Sequence, residues 1–195
     1  SGFSVVSYTG TGVGNSATIG HSLGVSPSMI IVKSRDSTGR GWIVYHKSLG
    51  ATKKLDLNDI TAATTSSGNW NDTEPTSSVF SVGTGGDTNT TDDFIAYCFA
   101  DVQGYSKFGS YQGNSSADGT FVYTGFKPAW VMIKRTDSTG QWGIADNKRG
   151  VAPSGEFLFA ESSGATNSAP NNFDFLSNGF KARADYAAMN TSGAT

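Results

Sequence analysis

Hydrophobic residues along this chain occur in short runs that are separated by polar, glycine-rich turns. Residues 29–32 are apolar at every position, as in a strand buried on both faces, and residues 54–57 alternate between charged and apolar side chains, as in a strand with one buried face. Frequent short strands are typical of β-sandwiches and jelly rolls. The sequence therefore predicts an all-β fold, with further strands at 3–8, 42–46, 79–82, 94–99, 105–111, 120–124, 130–134, 142–145, 157–159, 173–176 and 180–183.

Helical periodicity is weak throughout the chain. The best candidate, residues 57–64, contains Thr and Asn and fits one short turn at most. Two long polar segments, residues 62–78 and 83–92, are predicted as loops. Loops of this length in compact domains are often functional or mobile, so these two are the first places to look for a binding site.

An internal repeat organises the chain. Asp36-Ser37-Thr38-Gly39 recurs identically as residues 137–140, an offset of 101 positions, and Pro27–Lys33 matches Pro128–Lys134. Identical strings inside a longer matching frame indicate a duplication. We predict two tandem β-sandwich or jelly-roll-like repeats, residues 1–102 and 103–195.

The second repeat is predicted to be incomplete. The first repeat ends in the apolar segment Asp93–Ala100, and the repeat offset places the counterpart of this segment near residue 195. The closing strand of the second repeat is therefore expected in sequence outside this chain or from a neighbouring chain. Both ends resemble cuts within a longer polypeptide, and a disordered or processed terminus is the alternative. An open sheet edge needs a cover, because its backbone groups template the pairing of another strand.

Composition narrows the functional classes. Only 15% of the residues are charged and the net charge is −2, which gives no basic footprint for nucleic acid. No apolar run approaches the roughly 20 residues that span a bilayer. The single cysteine, Cys98, lies in an apolar run, where it is expected to be a small buried side chain. No intrachain disulfide and no cofactor are expected.

The residues that carry chemistry form no recognisable catalytic motif. The two histidines, His21 and His46, lie outside any nucleophile motif, and the three glutamates show no spacing that marks an acid and base pair. We expect no catalytic residues, and a polysaccharide hydrolase is the alternative. Asp87, Asp92 and Asp93 flank a polar loop and are weak candidates for oxygen ligands of Ca²⁺, although their spacing differs from that of an EF-hand. A solvated acidic loop is the other interpretation.

A tryptophan in a polar segment is the strongest hint of binding. Trp70 lies in Asn69-Trp70-Asn71-Asp72, where an aromatic ring and neighbouring amide and carboxylate groups suit stacking on a sugar and hydrogen bonding to its hydroxyls. Alternatively, Trp70 folds back to cap the core beneath its loop. The other tryptophans, Trp42, Trp130 and Trp142, lie on predicted strands and are predicted to be in the core.

Several strings in this sequence resemble a tandem β-domain of tailed bacteriophages that occurs in tail-fibre and virion structural proteins. The resemblance covers nearly the whole chain and rests on strings such as Gly2–Gly12, Gly20–Val25, Tyr45–Gly50 and Ala96–Ala100. It implies a non-enzymatic module on the virion surface. Its expected partners are other virion proteins, and further copies of the chain in a homo-oligomer. Attachment to host-surface glycans would be its function, and a capsid decoration or a spacer domain is the alternative.

Overall fold

A computed structural model of the chain describes residues 2–12, 14–149, 156–165, 173–183 and 188–195. The Cα positions divide the chain into two units. The first unit comprises residues 1–57, 63–102 and 106–109, and the second comprises residues 58–62, 103–105 and 110–195. The units therefore depart from a simple division near residue 102. Residues 58–62 belong to the second unit, and residues 106–109 belong to the first.

The described residues of the first unit form eight strands and two four-residue helices. They are β1 (Phe3–Thr9), β2 (Ala17–Gly20), β3 (Met29–Ser34), β4 (Ile43–His46), β5 (Lys53–Asp56), β6 (Thr64–Thr65), α1 (Ser67–Trp70), β7 (Val79–Val82), α2 (Gly86–Asn89) and β8 (Asp93–Phe99). Six of the strands form one sheet in the order β1-β8-β3-β4-β5-β6, and β2 pairs with β7 in a second, smaller sheet. The last strand, β8, therefore lies inside the larger sheet, antiparallel to both β1 and β3.

The core of the first unit lies between these two sheets. Phe94, Ala96 and Cys98 alternate along β8 and are fully buried, while the residues between them are half-buried on the opposite face. Phe80 and Val82 of β7 pack against the same cluster from the smaller sheet. Burial of each large apolar side chain contributes about 1.5–3 kcal/mol, so this two-sided contact stabilises the sandwich.

The second unit has six shorter strands in its described residues. They are β9 (Phe121–Tyr123), β10 (Trp130–Lys134), β11 (Trp142–Asp146), β12 (Leu158–Phe159), β13 (Phe173–Leu176) and β14 (Gly179–Ala182). One sheet has the order β10-β11-β12 and the other the order β13-β14-β9. Phe157, Phe173 and Phe180 form the centre of the core between them, with edge-to-face and tilted ring contacts.

Both units contain the same tyrosine arrangement. In the first, Tyr8 meets the edge of Phe80 at 6.2 Å and donates a hydrogen bond to the carbonyl of Thr88. In the second, Tyr111 meets the edge of Phe180 at 6.1 Å and donates to the carbonyl of Met189. These residues lie 100 to 103 positions apart in the sequence, which supports the predicted duplication.

The all-β fold class is confirmed, with corrections to three local predictions. The predicted strand at 105–111 is not formed, because no described strand lies beside these residues and only Ser106 makes an isolated bridge. Segment 57–64 contains one turn, at 57–58, and no helix, as expected, whereas the two predicted polar loops each contain one short helix. Trp130 is 54% exposed on β10 and is not a core residue. Its apolar run resembles that of β3, but β3 has a strand on each side, whereas β10 pairs only with β11 among the described residues.

Candidate functional site

Trp70 lies in the core of the first unit. Helix α1 turns its ring inward, where it is 1% exposed and meets Tyr45 edge-on at 5.8 Å. The predicted stacking of Trp70 on a sugar is therefore wrong for this structure, because neither face of the ring reaches the surface. The alternative, that Trp70 caps the core beneath its loop, is what the structure shows.

Glycines allow the two helical segments to approach closely enough to bury this ring. The amide of Gly85 donates to the carbonyl of Gly68 at 2.7 Å, and the amide of Gly83 donates to the carbonyl of Asn69 at 3.1 Å. A Cβ atom at Gly83 would lie 2.6 Å from the carbonyl oxygen of Gly68, closer than real Cβ contacts. The two predicted loops are thus packed on each other, and their glycines serve this contact.

The polar neighbours of Trp70 have separate environments. Asn69 is buried and accepts a hydrogen bond from the Ser66 hydroxyl at 2.6 Å. Asn71 and Asp72 are exposed, with φ angles of 53° and 46° that Asn and Asp tolerate better than most residues. Of the four predicted ligand-binding residues, only Asn71 and Asp72 lie at the surface.

A glutamate joins this loop to the sheet below it. Glu74 accepts hydrogen bonds from the Tyr45 hydroxyl at 2.5 Å and from the Ala51 amide at 2.7 Å. Burial, followed by the contact with Glu74, raises the pKa of Tyr45 well above its ordinary value. Both oxygens of Glu74 are therefore used in fixing the loop.

The three calcium candidates have protein partners of their own. Asp87 lies near the cations of Arg40 and Lys54, at 3.8 and 3.7 Å. Asp92 accepts hydrogen bonds from the hydroxyls of Ser37 and Ser34, which hold the pKa of Asp92 below its ordinary value. The Asp93 carboxylate accepts from the Thr9 hydroxyl at 2.7 Å. Within the described residues, no three His, Cys, Asp or Glu side chains are grouped to hold a metal ion.

A buried asparagine that sequence reasoning missed fixes the end of the second loop. Asn89 is fully buried, accepts a hydrogen bond from the Thr11 amide at 2.9 Å, and donates to the carbonyls of Asn15 and Gly83 at 2.8 and 2.9 Å. Asn190 repeats this device in the second unit, where it joins the Asn114 amide and the Ser116 carbonyl. The sequence contains one indication of this role, because the repeat offset of 101 residues places asparagine at both Asn89 and Asn190.

The histidines and the cysteine are in structural environments. His21 is fully buried, and its Nδ1 accepts from the Leu23 amide, so Nε2 carries the proton and donates to the Thr76 carbonyl. His46 accepts from the Ser48 amide. Cys98 is fully buried, and burial raises the pKa of its thiol to about 11, which disfavours the reactive thiolate.

An apolar area remains exposed on the larger sheet. We call Phe3, Val5, Ile95, Tyr97 and Phe99 the outer strip; they lie on the face of β1 and β8 that points away from the core. Phe3 and Val5 are 47% and 51% exposed, and the rings of Phe3 and Phe99 are 4.9 Å apart. Asp93 of β8 and Lys33 of β3 border the strip next to Ile95, and exposed apolar patches with a polar rim mark interaction surfaces.

Within the described residues, β1 has a neighbouring strand on one side only, so a sheet edge borders this apolar area. Strand β1 is the terminal strand of the six-stranded sheet, it is seven residues long, and it contains neither a charged residue nor a proline. Edge strands of soluble proteins are usually protected by lysine, proline, bulges or short length. Strand β1 contains neither lysine nor proline and is seven residues long, so it is suited to pairing with another polypeptide.

Comparison with known proteins assigns the chain to a family. A family model described as "Domain of unknown function (DUF7483)" matches residues 1–195, and the chain belongs to this family. Neither the curated proteins nor the solved structures contain a match. No helix in the described part of the chain is long and apolar enough to cross a membrane.

Proposed function

We propose that this member of the DUF7483 family is a non-enzymatic structural module of a virion surface or tail fibre, which assembles with neighbouring virion proteins through β1. The observation that carries this proposal is the outer strip beside an unprotected seven-residue edge strand. Pairing along β1 would satisfy its backbone groups and remove Phe3 and Val5 from water together.

Two further observations support an assembly role. The long loops, where a binding site was predicted, are fixed by buried groups such as Trp70 and Asn89 and by glycine contacts. The resemblance of strings such as Gly2–Gly12 to virion structural proteins points to the same class of function. A second copy of the chain is the simplest partner, since an uncharged strand meets no like-charge repulsion when it pairs with itself.

Introduction of one charge into the outer strip tests this proposal. Val5→Lys places a charge in the outer strip, and Val25→Lys is the matched control, because Val25 is 50% exposed and lies outside any strand. Sedimentation at increasing concentration should show self-association of the wild type and of Val25→Lys, and loss of it in Val5→Lys. Self-association that is unchanged in Val5→Lys would refute the use of β1.

Localisation tests the biological setting. Antibody labelling or electron microscopy of phage particles that carry the full-length protein should place it on a tail fibre or the virion surface. A position on the capsid shell favours the decoration alternative, and absence from the particle contradicts the proposal. A glycan array with the wild type and an Asn71→Ala, Asp72→Ala double variant addresses host attachment through the two exposed residues of the predicted set.

A further inference from the structure

One edge of β10 has no neighbouring strand in the part of the chain that the structure describes. In the first unit, β3 lies between β8 and β4, whereas β10 pairs with β11 alone. The two strands correspond closely, because Met29–Lys33 and Trp130–Lys134 match in sequence and pair with β4 and β11 in equivalent registers. The unpaired edge of β10 is thus the counterpart of the edge that binds β8.

Burial along β10 shows the consequence of this difference. Ile30 and Val32 of β3 are fully buried, while their counterparts Val131 and Ile133 are only half-buried against the core of the second unit. The difference is largest at the start of the strand, where Met29 is 5% exposed and Trp130 is 54% exposed. The apolar strand β10 is therefore paired with β11 along one edge, and its side chains are less buried than those of β3.

The start of β8 shows how a strand enters this position. The amide of Gly10 donates to the Asp92 carbonyl at 3.0 Å, and the amide of Arg35 donates to the Asp93 carbonyl at 2.7 Å. Asp92 and Asp93 are thereby held between the end of β1 and the end of β3. Gly10 is required there, since a Cβ atom would lie 1.8 Å from the Thr90 carbonyl oxygen.

The same entrance is present in the second unit. The amide of Gly113 donates to the Ala194 carbonyl at 2.9 Å, and the amide of Thr136 donates to the Thr195 carbonyl at 2.6 Å. A Cβ atom at Gly113 would lie 2.3 Å from the Thr191 carbonyl oxygen, which repeats the requirement at Gly10. Thr195 therefore holds the position that Asp93 holds, and Asp93 is the first residue of β8.

We propose that the unpaired edge of β10 is a strand-acceptor site, which takes one antiparallel strand joined to Thr195 and having the side-chain alternation of β8. A joined strand fits because Ala194 and Thr195 already make the two hydrogen bonds that set its register. By the pairing of β8 with β3, six residues of the added strand would lie beside residues 130–135.

The chemistry of the added strand follows from what β8 places in the core. Its inward residues are aromatic at the first position and small at the next two, namely Phe94, Ala96 and Cys98. Phe94 stacks on Tyr8 at 5.1 Å. Tyr111, the counterpart of Tyr8, has its ring edge against Phe180 in the same way, so an aromatic first residue fits beside it. This inference does not depend on the function proposed for β1.

Hydrogen exchange on the 195-residue protein tests the site directly. The probe is a synthetic peptide with the sequence of residues 93–100, and the control is a peptide in which Phe94 is replaced by aspartate. The β8 peptide should slow exchange of the edge amides of residues 130–134 about tenfold or more, as expected for newly paired backbone. The amides of residues 29–34, which already lie between two strands, should be unaffected and serve as the internal control.

A second protein distinguishes a joined strand from a separate one. In this protein the sequence of residues 94–100 is appended after Thr195. It should show the slow exchange of residues 130–134 without peptide, and it should no longer bind the peptide. If neither peptide nor extension slows exchange, the acceptor site is refuted. If the peptide protects residues 130–134 but the extension does not, the joined strand is refuted.

Discussion

Replacement of Asn89 by aspartate should destabilise the first unit strongly, and the penalty should depend on pH. Asn89 is fully buried, and its Nδ2 donates to the carbonyls of Asn15 and Gly83 at 2.8 and 2.9 Å. Aspartate has nearly the same shape but replaces this donor with an acceptor. At neutral pH the variant places a negative charge against two carbonyl oxygens with no exposure to water.

The magnitude follows from the lost hydrogen bonds and the buried charge. When the new carboxyl is protonated it can donate to only one of the two carbonyls, and the other becomes an unsatisfied buried group at a cost of about 1–3 kcal/mol. Ionisation adds about 1.4 kcal/mol for each unit by which burial raises the folded-state pKa. For a rise of about 3 units, typical of buried carboxyls, the added cost is about 4 kcal/mol at pH 7.

The sign of the pH dependence is fixed by linkage. A carboxyl whose pKa is raised by folding favours the folded state below its unfolded pKa of about 3.9, and this advantage is lost as pH rises through the folded-state pKa. The difference in unfolding free energy between Asn89→Asp and wild type should therefore be about 2 kcal/mol near pH 4 and several kcal/mol larger near pH 7.

Urea denaturation at the two pH values, followed by tryptophan fluorescence, measures this difference. Asn15→Asp is the matched control, because it makes the same chemical change at an exposed residue of the same region and should cost under about 1 kcal/mol. Asn190→Asp should reproduce the effect in the second unit. A cost below about 1 kcal/mol for Asn89→Asp at pH 7, or one that does not shrink in acid, would refute the reasoning.

Three further predictions concern buried groups. Trp70→Ala should lower the free energy of unfolding by about 3–5 kcal/mol. Trp70→Phe should lower it by much less, because Phe keeps most of the ring contact and removes a buried indole N–H that has no partner among the described residues. Urea denaturation measures both changes. Cys98 should react with a thiol reagent only on unfolding, so equal rates in native and denatured protein would contradict its burial. Burial raises the pKa of Tyr8, so stability should fall as pH rises above about 10, and Tyr8→Phe should make this fall less steep in urea titrations.

Local patterns in the sequence predicted the strands well because burial imposes them residue by residue. The apolar run of β3 belongs to a strand that lies between β8 and β4 and has Met29, Ile30 and Val32 buried, and the alternation of β5 follows from one buried face. The position of β8 was not predictable in this way. It pairs with β1 across roughly ninety residues of sequence, and nothing in its own composition specifies that it enters between β1 and β3.

The errors have physical causes that single-sequence patterns do not contain. The polar neighbours of Trp70 are compatible with exposure or burial, and the four-residue helix buries Trp70 together with Asn69 while Asn71 and Asp72, which follow it, stay exposed. Trp130 has apolar neighbours and looked buried, but its exposure depends on a strand pairing that β10 lacks in the described residues. Asn89 looked like an ordinary loop residue, because its role depends on hydrogen bonds to Thr11 and Asn15, more than seventy residues away.

The distribution of hydrogen-bonded side chains and open backbone edges supports the two proposals for added strands. The polar loops use their side chains internally, as Glu74 and Asn89 do, and so offer few free groups to a small ligand. Among the described residues, sheet edges without a neighbouring strand lie next to exposed apolar side chains, at β1 beside Val5 and at β10 beside Trp130. Both features favour added strands over bound small molecules. Because β10 lacks, within the described residues, the second neighbouring strand that β3 has, we propose completion of its own sheet for the edge of β10 and assembly between proteins for the edge of β1.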